Sequence, residues 1–176
     1  GVKSQGYTKI FDGFTLKGWK HNPDTTNWTA MNGVLEHNGQ QGSVNDLWSD
    51  KSYKDFTLVF DWRWSGRGPN KSQPKVMPDG STNGTVEIEE LDGGIYVRGN
   101  SKSQINLWNW PIGSGEVYGY RTDGKMSPEV KAGVTPKMNA DKPLGEWNRT
   151  MITMKGDRLT VNLNGKVVID NAQLPG

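Results

Sequence analysis

The chain contains no cysteine, which excludes disulfides, thiolate nucleophiles and Cys-ligated zinc. Its compartment stays open on that count, because a protein of an oxidising compartment need not carry disulfides. No apolar run approaches the ~20 residues of a membrane-spanning helix, so no membrane insertion is expected. The only histidines are His21 and His37, with no third ligand at a recognisable spacing, which argues against zinc. Calcium stays open at the oxygen-rich turn 22–24, although no EF-hand loop is present; no cofactor is expected. An excess of one charge is also missing: 21 basic and 19 acidic residues are interspersed and leave a net charge of +2. Nucleic acid is therefore not an expected partner. Helical periodicity is absent throughout.

What is present is aromatic mass and turn residues. Hydrophobic content is only 32%, yet eight Trp, five Tyr and four Phe each remove roughly 150–250 Å² from water when buried, enough to build a core. Residues 147–170 spell out an antiparallel meander. Leu159, Val161 and Leu163 alternate with Arg158, Thr160 and Asn162, with turns at Gly156-Asp157 and Asn164-Gly165; Asn-Gly between such alternations is the strongest short hairpin signal. Further short strands are expected at 8–11, 28–30, 34–37, 56–64, 86–91, 94–98 and 104–108. Within 56–64, Phe56, Leu58, Phe60, Trp62 and Trp64 share one face. The expected class is all-β, one domain over residues 1–176, a sandwich or barrel. Two stretches interrupt the rhythm. Residues 65–85, rich in Gly, Pro, Lys and Ser, read as a flexible loop, and residues 109–145 read as a longer loop that retains enough aromatics to pack and shape a site.

The densest acidic cluster is Glu87, Glu89, Glu90 and Asp92. Paired carboxyls about 5–5.5 Å apart serve retaining glycosidases, but Leu91 breaks the alternation of a laminarinase-like acid triplet, and a solvated charged strand edge is the alternative. Tyr96 and Arg98 share a face, as do Gln104, Asn106 and Trp108 on the next strand. Such a mixture suits sugar recognition: planar polar groups read hydroxyls and an aromatic face covers the C–H side of the ring. Arg98 could also hold an oxygen that develops negative charge. The alternative is an outward face with an incidental Trp.

Ile10-Phe11-Asp12-Gly13, Leu16, Gly18-Trp19, Trp28, Asn32-Gly33-Val34-Leu35, Tyr53-Lys54-Asp55-Phe56, Gly94-Ile95-Tyr96-Val97-Arg98-Gly99, Gly145-Glu146-Trp147-Asn148 and Leu163-Asn164-Gly165, in that order, resemble the 3-keto-disaccharide hydrolase family. The resemblance implies a concanavalin A-like jelly-roll sandwich of two antiparallel sheets, and a carbohydrate substrate whose C3 hydroxyl is already a ketone. It implies C2 proton abstraction and elimination of the C1 substituent, which needs a base (Glu89 or Glu116), a stabiliser (Arg98) and an acid (Tyr120 or Lys142). Tyr96, Gln104, Asn106, Trp108, Trp110 and Lys142 are the expected substrate contacts. It also implies a bacterial, periplasmic or secreted protein whose signal peptide is removed. Many members carry Glu and then Gln where this chain has Gln104 and Asn106, so a carbohydrate-binding module without catalysis is the competing reading. Members usually continue past the Asn-Gly hairpin with two further strands; without them the sheet would keep open edges, so a trimmed chain or a separate completing segment is expected.

Overall fold

The computed structural model describes residues 6–20, 27–40 and 46–176. His21 and the turn 22–24 lie outside the described residues. The chain divides into two compact units, residues 1–53 and 54–176.

In the first unit, β1 (Trp19–Lys20) pairs with β4 (Trp48–Ser49), and β2 (Trp28–Met31) pairs with β3 (Val34–His37), all antiparallel. Asn32 and Gly33, at φ +53° and +80°, form the tight β2–β3 turn whose twist matches a hairpin. The strand expected at 8–11 does not form. There the chain is committed to side-chain contacts instead: Trp19 Nε1–H donates to the Ile10 carbonyl at 2.7 Å, and Asp12 Oδ1 accepts from the Phe14 and Thr15 amides at 2.8 and 2.6 Å. His37 meets Trp28 edge-on at 4.9 Å and accepts the Gly39 amide on Nδ1 at 2.9 Å. Burial lowers its pKa, so it is a satisfied structural imidazole.

The second unit is built on a four-stranded antiparallel sheet in the order β12 (Lys166–Gln173), β11 (Arg158–Leu163), β10 (Asn148–Lys155), β5 (Phe56–Trp62). Period-two alternation decides its inner face. Asn148, Thr150, Ile152 and Met154 of β10 and Leu159, Val161 and Leu163 of β11 are buried, while Arg149, Met151 and Lys155 point out. Each fully buried aliphatic side chain contributes roughly 1.5–3 kcal/mol. Trp62 donates Nε1–H to Thr150 Oγ1 at 2.8 Å, so β5 is locked to β10 by a side chain as well as by its ladder. On the other side of this core lie Ile95 of β8 (Asp92–Tyr96), Ile105 of β9 (Gln104–Trp108), Val117, Tyr120 of α1 (Tyr118–Arg121) and Val130 of α2 (Pro128–Gly133). The result is an all-β antiparallel sandwich, with one layer completed by two short helices.

Two expectations are corrected here. Residues 65–85 are not a flexible loop: β6 (Asn70–Val76) and β7 (Thr82–Glu89) form a paired hairpin through them. Backbone pairing with β7 carries β6, which has one buried residue in seven, too few to write an alternation. Helix is also present, because α1 spans four residues and α2 six, shorter than the span over which a 3.6-residue period can repeat. Ser127 caps α2 by accepting the Val130 amide at 3.2 Å, ahead of Pro128 at its first turn.

Candidate active site

Register places the polar face of the β8–β9 hairpin residue by residue. Tyr96 lies opposite Gln104, Gly94 opposite Asn106, and Asp92 opposite Trp108. Ile95 and Ile105 point into the core, so the alternation turns these six residues to the other face. A Cβ on Gly94 would come within 2.6 Å of Gln104 Cγ and 2.7 Å of its Nε2; the glycine lets the Gln104 amide lie across the backbone of β8.

Glu116 joins this face through a backbone bridge to β9. The Asn106 amide donates to the Glu116 carbonyl, and the Gly115 amide to the Asn106 carbonyl, both at 2.8 Å. The single turn of α1 then folds Arg121 back over it, with the Arg121 amide bonded to the Val117 carbonyl at 3.0 Å. Arg121 Nε donates to Glu116 Oε2 at 2.5 Å and Nη2 to Oε1 at 3.4 Å, while Asn106 Nδ2 donates to Oε1 at 3.3 Å. Glu116 is 0% exposed and Arg121 6%. Burial pushes the Glu116 carboxyl up, to about 7, against the pull of Arg121 and Asn106; the charge of Asp92 adds to the rise. Asp92 itself is raised to about 6, first by desolvation and then by Glu90, although much of its surface still meets solvent, which mutes the shift. An open carboxyl with a raised pKa thus sits beside a closed carboxylate–guanidinium pair.

Around this face the aromatics are structural. Trp108 and Trp110 stack on each other at 4.0 Å and 11° and are 1% and 7% exposed, so neither offers a ring to a ligand. Trp108 Nε1–H donates to the Gly113 carbonyl at 2.5 Å. Trp110 Nε1–H is buried and has no hydrogen-bond partner among the described residues.

The other expected residues are dispersed. Glu89 is paired with Arg67, which holds its carboxyl below the ordinary value. Arg98 is exposed and donates to the Gly156 carbonyl, just past the far end of β10. Tyr120 packs in the core and donates its hydroxyl to the Pro175 carbonyl at 3.0 Å. The Lys142 amide donates to Asn148 Oδ1 at 2.8 Å, at the opposite end of β10 from Arg98. The eight residues of β10 place Arg98 and Lys142 roughly 20–25 Å apart along the sheet. The structure therefore brings together Tyr96, Gln104, Asn106 and Glu116, buries Trp108 and Trp110 against each other, and leaves Glu89, Arg98, Tyr120 and Lys142 elsewhere. Sequence reasoning missed Arg121, whose arrival depends on one helical turn with no periodic signal. It noted Asp92 only as part of an acidic run. No group of three His, Cys, Asp or Glu side chains able to hold a metal occurs among the described residues.

Lys142 lines a separate cleft of about 440 Å³ together with Trp64, Asn109, Asn139, Asp141 and Asn148. Burial raises the Asp141 carboxyl, opposed by the Ser114 amide and hydroxyl, which donate to it at 2.8 and 2.7 Å.

An antiparallel sandwich of this kind occurs in solved structures of provisionally named glycosyl hydrolases from Parabacteroides distasonis. One superposes with a TM-score of 0.55 at 20% identity, covering 96% of this chain and 75% of that one; a second gives 0.53 at 19%, covering 95% and 65%. Those likenesses concern the fold. The chain belongs to the 3-keto-alpha-glucoside-1,2-lyase-like domain family, whose profile matches residues 6–176. It is 26% identical over 182 residues to a 3-keto-disaccharide hydrolase of Bacteroides thetaiotaomicron, covering 96% of this chain and 59% of that relative's length.

Proposed function

We propose that this domain cleaves 3-keto-glucosides by removing the C2 proton and expelling the C1 substituent, and that Asp92 is the base. The observation that carries the reading is the solvent-open carboxyl of Asp92, raised above its ordinary value, on a face shared with Tyr96 and Gln104 in a chain of this family. A ketone at C3 acidifies the C2 hydrogen. Asp92 takes that proton, the electron pair moves into the C3 enolate, and the C1–O bond breaks as the departing oxygen gains a proton. Addition of water across C1 and C2, hydroxyl to C1 and hydrogen to C2, restores the keto sugar and gives net hydrolysis. A base with a pKa near the working pH suits this step. The Gln104 amide is a hydrogen-bond donor for the enolate oxygen. The Glu116–Arg121 pair acts as a positioning element, because its backbone bridge fixes β9.

The test mixes the protein with a 3-keto-glucoside and, separately, with its parent glucoside, and follows release of the aglycone. Release from the keto form alone is expected. Release from both, or from neither while the sugar binds, would overturn the proposal, and the second result would make the domain a carbohydrate-binding module.

A further inference from the structure

The Lys142 cleft contributes nothing to the reaction proposed above, yet its wall is organised for a polar ligand. Its volume of about 440 Å³ falls within the roughly 300–1,000 Å³ of small-molecule sites. Three of its side-chain amides are held in place by the backbone. Asn109 Oδ1 accepts the Leu91 amide at 3.0 Å and its Nδ2 donates to the Glu89 carbonyl. Asn139 Nδ2 donates to the Pro111 carbonyl at 3.1 Å and its Oδ1 accepts the Asp141 amide at 3.0 Å. Asn148 Oδ1 accepts the Lys142 amide at 2.8 Å and Asn164 Nδ2 at 2.9 Å. A carboxamide has two N–H donors and two acceptor lone pairs, so Asn109 and Asn139 each keep one donor and one acceptor after these bonds. Paired donors and acceptors with fixed orientation are what a pyranose diol engages.

The remaining wall supplies the complementary parts. Trp64, half-buried and set edge-on to Trp62 at 5.8 Å, gives an indole against which a sugar C–H face can pack. The charges of Asp141 and Lys142 cancel, so the wall favours neither an anionic nor a cationic ligand. The scaffold is rigid where it matters: Gly113, at φ +90°, allows the Asn139 backbone so close that an added Cβ would lie 2.7 Å from Asn139 Cα.

We infer that this cleft is a second saccharide-binding site, for a neutral hexose unit, separate from the β8–β9 face. The test is a heteronuclear NMR titration of the protein with cellotriose and, separately, with maltotriose. Saturable shifts of the Trp64 indole N–H and the Asn109 and Asn139 side-chain amides are expected with at least one of them. Asn139→Ala and Lys142→Ala, both at exposed positions that leave the core untouched, should weaken that binding roughly three- to tenfold, the loss of one or two net hydrogen bonds. Both should leave turnover of a 3-keto-glucoside unchanged. No shift at the cleft with either sugar, or shifts confined to Tyr96, Gln104 and Asn106, would overturn the inference while leaving the proposed reaction standing. Cleft shifts in a protein that does not turn over the keto sugar would support the cleft and remove the reaction.

Discussion

Two carboxylate–arginine pairs in the second unit share a chemistry and differ in their surroundings. Asp61 and Arg149 face each other across β5 and β10 at 2.8 Å, with side chains 43% and 48% exposed. Glu116 and Arg121 meet at 2.5 Å with side chains 0% and 5% exposed. Arg149 holds the Asp61 carboxyl below its ordinary value, whereas burial lifts Glu116 to about 7 despite an equally close guanidinium. Desolvation outweighs one ion pair when no water remains. The exposed pair is a surface cross-strand contact; the buried one ties Glu116, and with it the backbone bridge to β9, to the turn of α1.

Removing one partner should separate the two most sharply. Arg121→Leu leaves a carboxylate buried without its cation and is expected to cost about 3–5 kcal/mol in denaturant unfolding. Next is Asp92→Asn, at an open position, which should keep the unfolding midpoint while lowering kcat/KM for a 3-keto-glucoside by roughly 10²–10⁴. A variant that is inactive but also unfolded would point to a structural role instead.

The pairs should also respond to pH with opposite sign. Glu116 binds a proton in the folded state that the unfolded chain has released between its ordinary 4.5 and about 7, so its contribution is complete below pH 4.5 and is lost as pH rises through about 7. Asp61 is depressed from 3.8; its contribution is present above that value and disappears as acid takes the pH down through its lower folded pKa. Glu116→Gln should therefore flatten the stability–pH curve between 4.5 and 7 and leave the acid limb in place; a curve unchanged in that window would contradict the burial argument. The smallest effect belongs to Arg149→Ala, whose unfolding midpoint should stay close to that of the unmodified chain because exposed pairs contribute little.

The same contrast marks what could be read in the sequence. Strands carried by alternation were legible. Residues 158–163 and 104–108 coincide with β11 and β9, and the Asn164-Gly165 turn falls where expected. Period two alone puts Gln104 and Asn106 on one face of β9; that Tyr96 joins them follows from the β8–β9 register, which the structure supplies. β6 was not legible, because NKSQPKV buries a single Val at its end and its strand character comes from its partner. Site partners across long sequence separations were illegible for a related reason. Arg98 finds the Gly156 carbonyl 58 residues away and Glu89 finds Arg67 22 residues away; an alternating pattern says which face a side chain takes, never what waits there. Glu116 lies in the Gly113-Ser114-Gly115 context, with no apolar alternation to announce that it is the most deeply buried acid described.

The pH dependence of kcat/KM on a single 3-keto-glucoside, measured for the unmodified protein and for Asp92→Asn, tests the central claim most directly. The account predicts a rising limb centred above the ordinary carboxyl value of 3.8 in the first and its loss, with nearly all turnover, in the second. An identical limb in both proteins, or no turnover of the keto sugar by either, would contradict it.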